Sequence, residues 1–495
     1  MVPVECSMQA AGLLIGTEKG SGGGRSLANA AAKLLECTPP KLLQTSDWGA
    51  ESLSRGQLAY ASSDAVLAWR LWSVVTRRLK SSGRDVAYRL QRDVIPCVAD
   101  IELRGLGFDR DEHARQVEVW SRELADARRD FLETTGESPP STDAETRTWV
   151  AEVAGERLAT WPKTSTGQLS ISAEALKWLA LSAVPTVKDV LRIRARQTLL
   201  KTFGPKLAEH ISPATGRLHA SYNIAATKAV RFSCSNPNLQ QLPSISAPEF
   251  RRCIVAAPGH RLIGCDWSQV EMRALAHISR DPALTAVFAA DPPKDIHTET
   301  AARMSGVAPD EVTAEHRKMA KAINFGTIFG MGAEKLVAYA FANFDVEMTK
   351  EQAQSFLDRF FVTYPKVYLR RRQCGWLCNA QAPIVIGCGR VVEPAWELGG
   401  KLSFTQYCNL PIQGVCADAM LRALKLVHAR LRGLHAWIVA TIHDEILVEA
   451  SEEDCDRAQA VLQEAMVEAF QVTFPEAPSH SVVSTTIGSN WLGEG

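Results

Sequence analysis

The chain has 495 residues, of which 46% are hydrophobic and 22% are charged, and its 55 basic residues equal its 55 acidic residues in number. It can therefore bury a large core divided among several domains. Its zero net charge does not exclude a nucleic-acid partner, which needs only a local basic groove. No apolar run reaches the roughly 18 residues of a membrane-spanning helix, and the N-terminus lacks a secretory pattern, so we expect an unsecreted, soluble protein.

The first half of the chain has a helical pattern with several polar breaks. Residues 20–24 (GSGGG) form a flexible break, and an Ala/Leu-rich helical pattern then runs from Ser26 to Leu79. A second break at residues 81–83 precedes a long helical region, which Gly, Pro and Ser interrupt at residues 136–142. After about residue 230, short strands alternate with helices, and the candidate chemistry lies there.

The segment RLIGCDWSQVEMRALAHI predicts a strand that leads into a helix. The strand covers Leu262 to Cys265, and Asp266 follows at its end. Ser268 occupies an N-cap position with Glu271 three residues later, which is the spacing of a capping box. Four apolar residues then recur at helical spacing: Val270, Ala274, Leu275 and Ile278. Taken alone, Asp266 is also explained by the frequent use of aspartate in turns.

The segment AWIVATIHDEILVE predicts a hairpin that carries charge at its tip. Two runs rich in β-branched residues flank His443, Asp444 and Glu445. A buried, unpaired carboxylate is costly, so the tip has to hold these charges. A second strand-end carboxylate, Asp266, would repel them unless a cation lay between, and carboxylate oxygens suit Mg²⁺. The arrangement fits two-metal phosphoryl transfer.

The segment HRKMAKAINFGTIFGMG predicts a helix with an unusual face. Arg317, Lys321, Phe325 and Phe329 recur every four residues, so they lie on one slowly drifting face. Cations near the start of a helix oppose its dipole, and the glycines weaken it. Two cations in successive turns suit the phosphates of a nucleotide, and an aromatic ring suits its base or sugar. The alternative is a solvated charged face that runs into a core contact.

Three of these segments together resemble the motifs of the family A DNA polymerases. DWSQVEMR resembles motif A, RKMAKAINFGTIFG resembles motif B, and TIHDEILVE resembles motif C. Four further stretches match in the family's order: VRFSCSNPNLQQLP, KDIHTETA, GCGR and NLPIQGVCADAM. The resemblance extends from about residue 90 to the C-terminus.

The resemblance implies a mixed α/β (α+β) right-hand polymerase fold with an antiparallel palm sheet, preceded by a partial RNase H-like exonuclease remnant. The implied domains are an exonuclease remnant at 1–88, a thumb at 89–230, the first part of the palm at 231–290, fingers at 291–399 and the second part of the palm at 400–495.

The resemblance also implies a role for each matching residue. Asp266 and Asp444 would hold two Mg²⁺ ions, for which Mn²⁺ is a possible substitute, with the Trp267 carbonyl as a further ligand and Glu445 nearby. The implied nucleotide-binding residues are Arg317, Lys321, His297, Phe325, Phe329, Glu271 and Gln269. Asp266, Asp444, Glu445 and Lys321 would be the catalytic residues, and Glu271 would be the gate that excludes a 2′-hydroxyl. The implied primer and template contacts are Arg231, Asn238, Gln240, Asn409, Gln413 and His443.

Several positions depart from the family's pattern. Trp267 and Phe329 stand where tyrosines are usual, and Ala229 and Val230 replace the Thr-Gly that precedes Arg231. These changes bear on fidelity and rate more than on activity. Phe325, where a tyrosine would be the alternative, predicts discrimination against dideoxynucleotides.

Residues 26–79 resemble the end of a 3′–5′ exonuclease domain. Tyr60 and Asp64 match its third motif, but the upstream Asp-x-Glu metal pair is missing. Two-metal hydrolysis cannot be assembled from one carboxylate, so we expect no proofreading by this chain alone. The region is either a structural remnant or half of a split enzyme, and a truncated sheet should leave an exposed edge.

The sequence thus predicts a template-directed DNA polymerase without intrinsic proofreading. The alternatives are a weak or inactive DNA-binding remnant, the polymerase half of a split enzyme, and a single-subunit RNA polymerase. The expected partners are primer–template DNA and deoxynucleoside triphosphates, with a separate exonuclease or processivity subunit left open. We expect a monomer in the cytoplasm, bacterial or phage-encoded, with an organelle left open.

Overall fold

The computed structural model describes residues 4–16, 24–164, 166–180, 184, 186–243, 247–291, 294–344, 346–394 and 400–494. The glycine-rich break expected at residues 20–24 lies outside these ranges except for Gly24. In the described part of the chain, no helix has the length and apolar character needed to cross a membrane.

The N-terminal region is a small helical unit. Its helices are α1 (Ser7–Ile15), α2 (Leu27–Leu35), α3 (Arg55–Ser81) and α4 (Asp85–Arg104). A capping box between Ser54 and Gln57 starts α3, and the buried side chains of α1, α2 and α3 form one core cluster. The helical pattern expected from Ser26 onward is therefore interrupted between α2 and α3.

The exposed sheet edge expected in this region is not observed. Residues 4–16 and 24–88 contain helices and turns but no strand among the positions described. The Ala- and Leu-rich sequence favours helices that bury their apolar stripes against one another, so no truncated sheet is left to complete. The exonuclease remnant is not confirmed.

The middle region has a separate core. Its elements are β1 (Leu106–Gly107), α5 (Arg110–Thr135), α6 (Asp143–Val153), α7 (Ala173–Ala180), α8 (Val187–Phe203), α9 (Pro205–Ala208), β2 (Arg217–Leu218), β3 (Ser221–Asn223) and β4 (Ser233–Ser235). The long helices α5 and α8 pack against each other, and α7 joins their core. Gly136 adopts a φ of 73° and ends α5, as the break at residues 136–142 predicts.

The C-terminal half alternates strands and helices, as expected. Its elements are β5 (His260–Trp267), α10 (Val270–Ser279), α11 (Pro282–Ala289), α12 (Ile296–Ser305), α13 (Ala314–Ile328), α14 (Ala333–Phe344), α15 (Lys350–Thr363), α16 (Pro365–Ala380), β6 (Ile384–Ile386), β7 (Arg390–Val392), α17 (Phe404–Arg430), β8 (Ala436–Ile442), β9 (Glu445–Ser451), α18 (Cys455–Thr473) and β10 (Val483–Gly488).

A four-stranded antiparallel sheet organises this half. The strand order is β10–β5–β9–β8, so two segments far apart in sequence, β5 and β9, become central neighbours. Their register places Asp266 opposite Glu445. Helix α18 packs on β5 and β9, and α17 packs along α18. Fully buried aromatic rings such as Trp267 and Phe470 fill the layer between sheet and helices. The sheet thus fixes the relative positions of the predicted carboxylates.

Candidate active site

The hairpin formed by β8 and β9 carries Asp444 at its turn, as predicted. His443 adopts a left-handed φ of 57°, which lets the chain reverse within two residues. The backbone N–H of Trp267 donates to the carbonyl of Asp444 at 3.4 Å. This contact joins the hairpin turn to the end of β5, so Asp266 and Asp444 enter one site from adjacent strands.

The environment of these two carboxylates is short of positive charge. Burial raises the pKa of Asp266, and the negative charge of Asp444 raises it further. Burial also raises the pKa of Asp444. Both effects disfavour the ionised carboxylates, and a bound dication would reverse them. Carboxylate oxygens are ligands that Mg²⁺ prefers, so Asp266 and Asp444 fit this ion.

The protein alone does not complete a cation site here. In the described ranges, no three side chains of His, Cys, Asp or Glu come together in a metal-binding group. The remaining oxygens of an octahedral shell would have to come from ligands or water, as is usual for Mg²⁺ in sites that bind phosphates.

A cavity of about 550 Å³ brings the carboxylates and the cationic helix face together. Asp266 and Asp444 line it, and Arg317, Lys321 and Phe325 of α13 line it too. The repeat of four residues thus predicts a shared face for these three. Phe329 ends α13 and is not part of the lining.

The cations of α13 have partners within the protein. Arg317 Nη2 lies 2.7 Å from Asp295 Oδ2, and the Lys321 ammonium lies 5.7 Å from the centre of the Phe344 ring. Asp295 also accepts a hydrogen bond from the Thr298 backbone and caps α12. Asp295 therefore orients Arg317 at the cavity.

His297 is uncharged at neutral pH. Burial lowers its pKa to about 4, and its side chain is only 4% exposed. Asn324 Nδ2 lies 2.9 Å from His297 Nδ1. When the Asn324 amide donates to Nδ1, the imidazole hydrogen is on Nε2. His297 therefore lines the cavity as a neutral hydrogen-bond donor and not as a third cation.

The start of α10 differs from the predicted capping box. Gln269, with a left-handed φ of 57°, occupies the N-cap position and makes no side-chain cap. The Ser268 N–H donates to the carbonyl of Val482, which fixes this residue to the strand pairing. Glu271 instead forms an ion pair with Arg231 at 2.5 Å. The ion pair with Arg231 replaces the local cap. Sequence spacing alone could not reveal this ion pair, because Arg231 is distant in sequence.

The Glu271 carboxylate also meets α17. Gln413 Nε2 lies 3.5 Å from Glu271 Oε1, so Arg231 and Gln413 reach the same carboxylate from different segments. Glu271, Gln269 and Arg231 line the cavity, whereas Gln413 lies just behind Glu271.

Gln240 fixes the hairpin turn. The His443 backbone N–H donates to Gln240 Oε1 at 3.1 Å, and Gln240 Nε2 donates to the carbonyl of Thr441. Asn238 Oδ1 accepts from the Gln240 backbone at 3.1 Å and supports it from outside the cavity. Asn409 lies on α17 outside the lining, and its Oδ1 is buried without a hydrogen-bond partner in the described structure.

Glu445 pairs with Asp266 in the sheet, and its carboxylate has partners of its own. Its Oε1 accepts from Trp491 Nε1 at 2.7 Å, and its Oε2 lies 4.0 Å from Arg251 Nη2. The Arg251 guanidinium stacks over the Trp491 ring at 4.3 Å. Gly264 leaves room for this carboxylate, because a Cβ there would lie 2.6 Å from Glu445 Oε1. Burial raises the pKa of Glu445 to about 7, which the Trp491 hydrogen bond opposes.

Trp267 is part of the core as well as of the site. Its side chain is 1% exposed, and Nε1 donates to the carbonyl of Met466 at 3.3 Å. The buried indole thus has a hydrogen-bond partner in α18, which explains how the site accommodates the departure from tyrosine.

The remaining predicted residues lie elsewhere. Tyr60 and Asp64 are on α3, where Tyr60 packs near Trp48 with ring centres 5.9 Å apart. Sequence reasoning missed Asp295, Asn324, Trp491 and Arg251. Asp295 precedes a helix with a threonine three residues later, so its capping role had a local signal. The other three act through long-range contacts that leave no local pattern.

Comparisons with known proteins identify the family of this chain. The family model for DNA polymerase family A matches residues 111–493. DNA polymerase I of Chloroflexus aurantiacus is 31% identical over 455 residues, which cover 87% of this chain and 46% of the relative. DNA polymerase I of Pseudomonas aeruginosa is 30% identical over 469 residues, or 90% of this chain and 49% of the relative. The chain thus spans about half the length of these relatives.

A solved structure has the same fold. The POL domain of Pol1 from M. smegmatis, in complex with DNA primer-template and dNTP, matches with a TM-score of 0.82 at 23% sequence identity. The match covers 98% of this chain and 82% of that one, so this chain has the right-hand polymerase fold. With the match to residues 111–493, it follows that the chain belongs to DNA polymerase family A.

Proposed function

We propose that this chain is a template-directed DNA polymerase that adds deoxynucleotides to a primer 3′ end. The observation that carries the proposal is the cavity in which Asp266 and Asp444 meet Arg317 and Lys321. Acidic and cationic side chains in one cavity suit a metal-bound triphosphate, because the carboxylates can bind the metal ion and the cations can bind the phosphates. The primer–template DNA and dNTP in the M. smegmatis complex support the same substrates for this chain.

The proposed domain bounds are those that the sequence predicts. We assign residues 89–230 to the thumb, 231–290 and 400–495 to the palm, and 291–399 to the fingers. Support comes from the separate core of α5, α7 and α8 and from the single sheet that joins β5 to β8, β9 and β10.

Arg317, Lys321 and His297 bind the triphosphate in this proposal. The primer 3′-oxygen attacks the α-phosphorus in line, and the bond to the leaving pyrophosphate breaks. Lys321 and Arg317 stabilise the negative charge on the leaving group, and His297 donates through Nε2. Asp266, Asp444 and the Trp267 carbonyl would hold two Mg²⁺ ions, for which Mn²⁺ can substitute. When bound, the ions activate the 3′-oxygen and neutralise developing charge.

The other cavity residues select and orient the substrates. Phe325 packs on the incoming sugar and base, and its ring already lies 5.8 Å from that of His297. Glu271 blocks a 2′-hydroxyl, and Gln269 contacts the nucleotide beside it. Phe329 stacks on a template base. Primer and template contacts are assigned to Arg231, Asn238, Gln240, Asn409, Gln413 and His443.

Proofreading is not assigned to Tyr60 and Asp64. They supply at most one carboxylate for hydrolysis, so a two-metal exonuclease site would need further ligands, for which a separate exonuclease subunit is one proposed source. The relatives named above are bacterial proteins, which supports the expected cytoplasmic location.

The proposal is tested by primer extension on a recessed DNA template with Mg²⁺ and four deoxynucleotides. We expect extension by the unmodified chain and its loss in Asp444→Ala, whereas Glu453→Ala, an exposed carboxylate eight residues further along the sequence from Glu445, should extend normally. A mismatched primer end should persist. Absence of extension by the unmodified chain would favour the DNA-binding remnant, and better use of ribonucleotides than deoxynucleotides would favour an RNA polymerase.

A further inference from the structure

Helix α3 has an exposed cationic stripe opposite its buried face. Its buried apolar residues are Leu67, Leu71, Val75 and Leu79, and the last three belong to the N-terminal core cluster. At about 100° per residue, the exposed residues Val66, Trp69, Arg70, Ser73, Arg77 and Lys80 fall on the opposite side, within a stripe about 100° wide. Arg55, the first residue of α3, falls on the same stripe. From Arg55 to Lys80 the stripe therefore extends over roughly 38 Å.

The stripe is a local excess of positive charge. Arg55, Arg70, Arg77 and Lys80 are exposed, and none forms an ion pair with another described residue. The helix has one acidic residue, Asp64, whose position lies on the side of the buried face. In a chain with equal numbers of acidic and basic residues, such a stripe favours a polyanionic partner.

An exposed aromatic ring lies within the stripe. Trp69 is 69% exposed, and Val66, one turn earlier on the same stripe, is 50% exposed. Cations that bind the backbone, combined with aromatic rings on which bases stack, are typical of surfaces that bind single-stranded nucleic acid. An acidic protein would match the charge, but it would leave the indole without a stacking partner.

The helical unit is joined to the segment that leads to the cavity. Arg25 Nη1 donates to the carbonyl of Ile224 at 2.8 Å and to Gln9 of α1 at 3.1 Å. Ile224 precedes Arg231, a residue of the cavity lining, by seven positions. Cys388, in the turn between β6 and β7, packs against the core of the same unit.

We propose that the outer stripe of α3 is a second nucleic-acid site, which binds single-stranded DNA outside the cavity. The identity of the ligand rests on the proposed polymerase function, but the site itself uses no residue of the cavity. The strand is either unpaired template or a displaced strand, since both present the same phosphates and bases.

The test uses the full chain with its cavity occupied by an unlabelled hairpin primer–template. This hairpin has a one-nucleotide overhang and is present in excess. A labelled oligothymidylate of about 16 nucleotides is then titrated and followed by fluorescence anisotropy. We expect the unmodified chain to bind it. Arg70→Glu with Arg77→Glu should weaken binding at least about tenfold and reduce the salt slope by about 1.4, and Trp69→Ala should weaken it about fivefold.

Arg432→Glu, an exposed charge reversal away from α3, is the matched control and should change binding less than about twofold. All variants should extend a short-overhang hairpin at the normal rate, which also shows that they are folded. Failure of the proposed function would instead appear as no extension by the unmodified chain, whatever the oligothymidylate result. A long 5′ template extension and a 5′-flapped gap distinguish the two sources of the strand.

The proposal is overturned if the unmodified chain, with primer–template in its cavity, does not bind oligothymidylate. It is also overturned if the variant with both Arg70→Glu and Arg77→Glu binds oligothymidylate as well as the unmodified chain does. Polyglutamate is the probe for an acidic protein partner. If polyglutamate binds through Arg70 and Arg77 and oligothymidylate does not, the stripe is a protein-docking surface and the proposal is wrong.

Discussion

His297 illustrates how burial sets the chemistry of a single residue. Its motif suggests a grip on phosphate, and a cationic imidazole would serve that purpose. Burial instead keeps the ring neutral, and Asn324 determines which nitrogen carries the hydrogen. A neutral donor binds phosphate oxygen without adding a third positive charge next to Arg317 and Lys321, which themselves lower the pKa of His297.

The depressed pKa of His297 predicts a pH dependence of stability. The folded-state pKa, about 4, lies below the ordinary value of 6.5, so the unfolded chain takes up a proton first as pH falls. The contribution is fully present above about pH 6.5 and is lost on acidification towards about pH 4. Between about pH 7.5 and pH 5, the unmodified chain should lose about 2 kcal/mol more unfolding free energy than His297→Gln. Urea denaturation at both pH values measures this, and equal losses would contradict a buried neutral imidazole.

Glu271 predicts how the chain selects its sugar. The carboxylate is held by Arg231 and reached by Gln413, so it cannot move aside easily for a 2′-hydroxyl. Glu271→Ala should therefore improve ribonucleotide incorporation relative to deoxynucleotides at least about tenfold, which corresponds to 1.4 kcal/mol. Single-turnover incorporation of matched nucleotide pairs measures the ratio. Glu249→Ala, an exposed carboxylate, should leave it unchanged. An unchanged ratio in Glu271→Ala would assign the selection to another residue.

At the scale of elements, α13 places Arg317 and Lys321 at the cavity and directs the nearby Lys318 elsewhere. Lys321 lines the cavity, whereas Lys318 does not. In the proposed function Lys321 stabilises the leaving group, and removing such a charge should cost roughly 3 kcal/mol of transition-state stabilisation. We therefore expect Lys321→Met to lower kcat about a hundredfold and Lys318→Met to lower it less than about twofold. Rapid-quench measurement at saturating deoxynucleotide decides this, and similar losses in both variants would indicate a general charge effect.

The pairing of β5 with β9 predicts coupling between Gly264 and Trp491. Both determine where the Glu445 carboxylate lies, one by leaving space and the other by donating a hydrogen bond. Trp491→Phe should lower the unfolding free energy by roughly 1–3 kcal/mol, because a buried carboxylate loses its donor. Gly264→Ala displaces the same carboxylate, so the double variant should lose less than the sum of the single losses. Trp376→Phe, at an exposed tryptophan, is the control. Strict additivity would mean that Glu445 does not connect the two positions.

At the scale of the whole molecule, local patterns predicted the elements that carry the site. The β-branched runs around Asp444 predicted the hairpin, and the spacing from Arg317 to Phe325 predicted the face of α13, because both depend on periodicity alone. The family resemblance predicted the fold. The capping box at Ser268 was wrong because a tertiary ion pair took Glu271 away from it.

The rest of the site depends on contacts between distant segments. Trp491 reaches Glu445 across 46 positions, and Arg231 reaches Glu271 across 40. The prediction of an exposed sheet edge near the N-terminus was wrong for a related reason. A resemblance to one motif does not specify the secondary structure of the segments around it. Such contacts follow from the strand order, which no local pattern determines.

The most direct test of the account is single-nucleotide incorporation opposite each of the four template bases. The chain, a primed template and Mg²⁺ are mixed with one deoxynucleotide at a time, and the product is resolved by length. We expect the complementary nucleotide to extend the primer in every case and the other three to extend it far more slowly. Incorporation that does not depend on the template base, or no incorporation by a chain that binds the primed template, would contradict it.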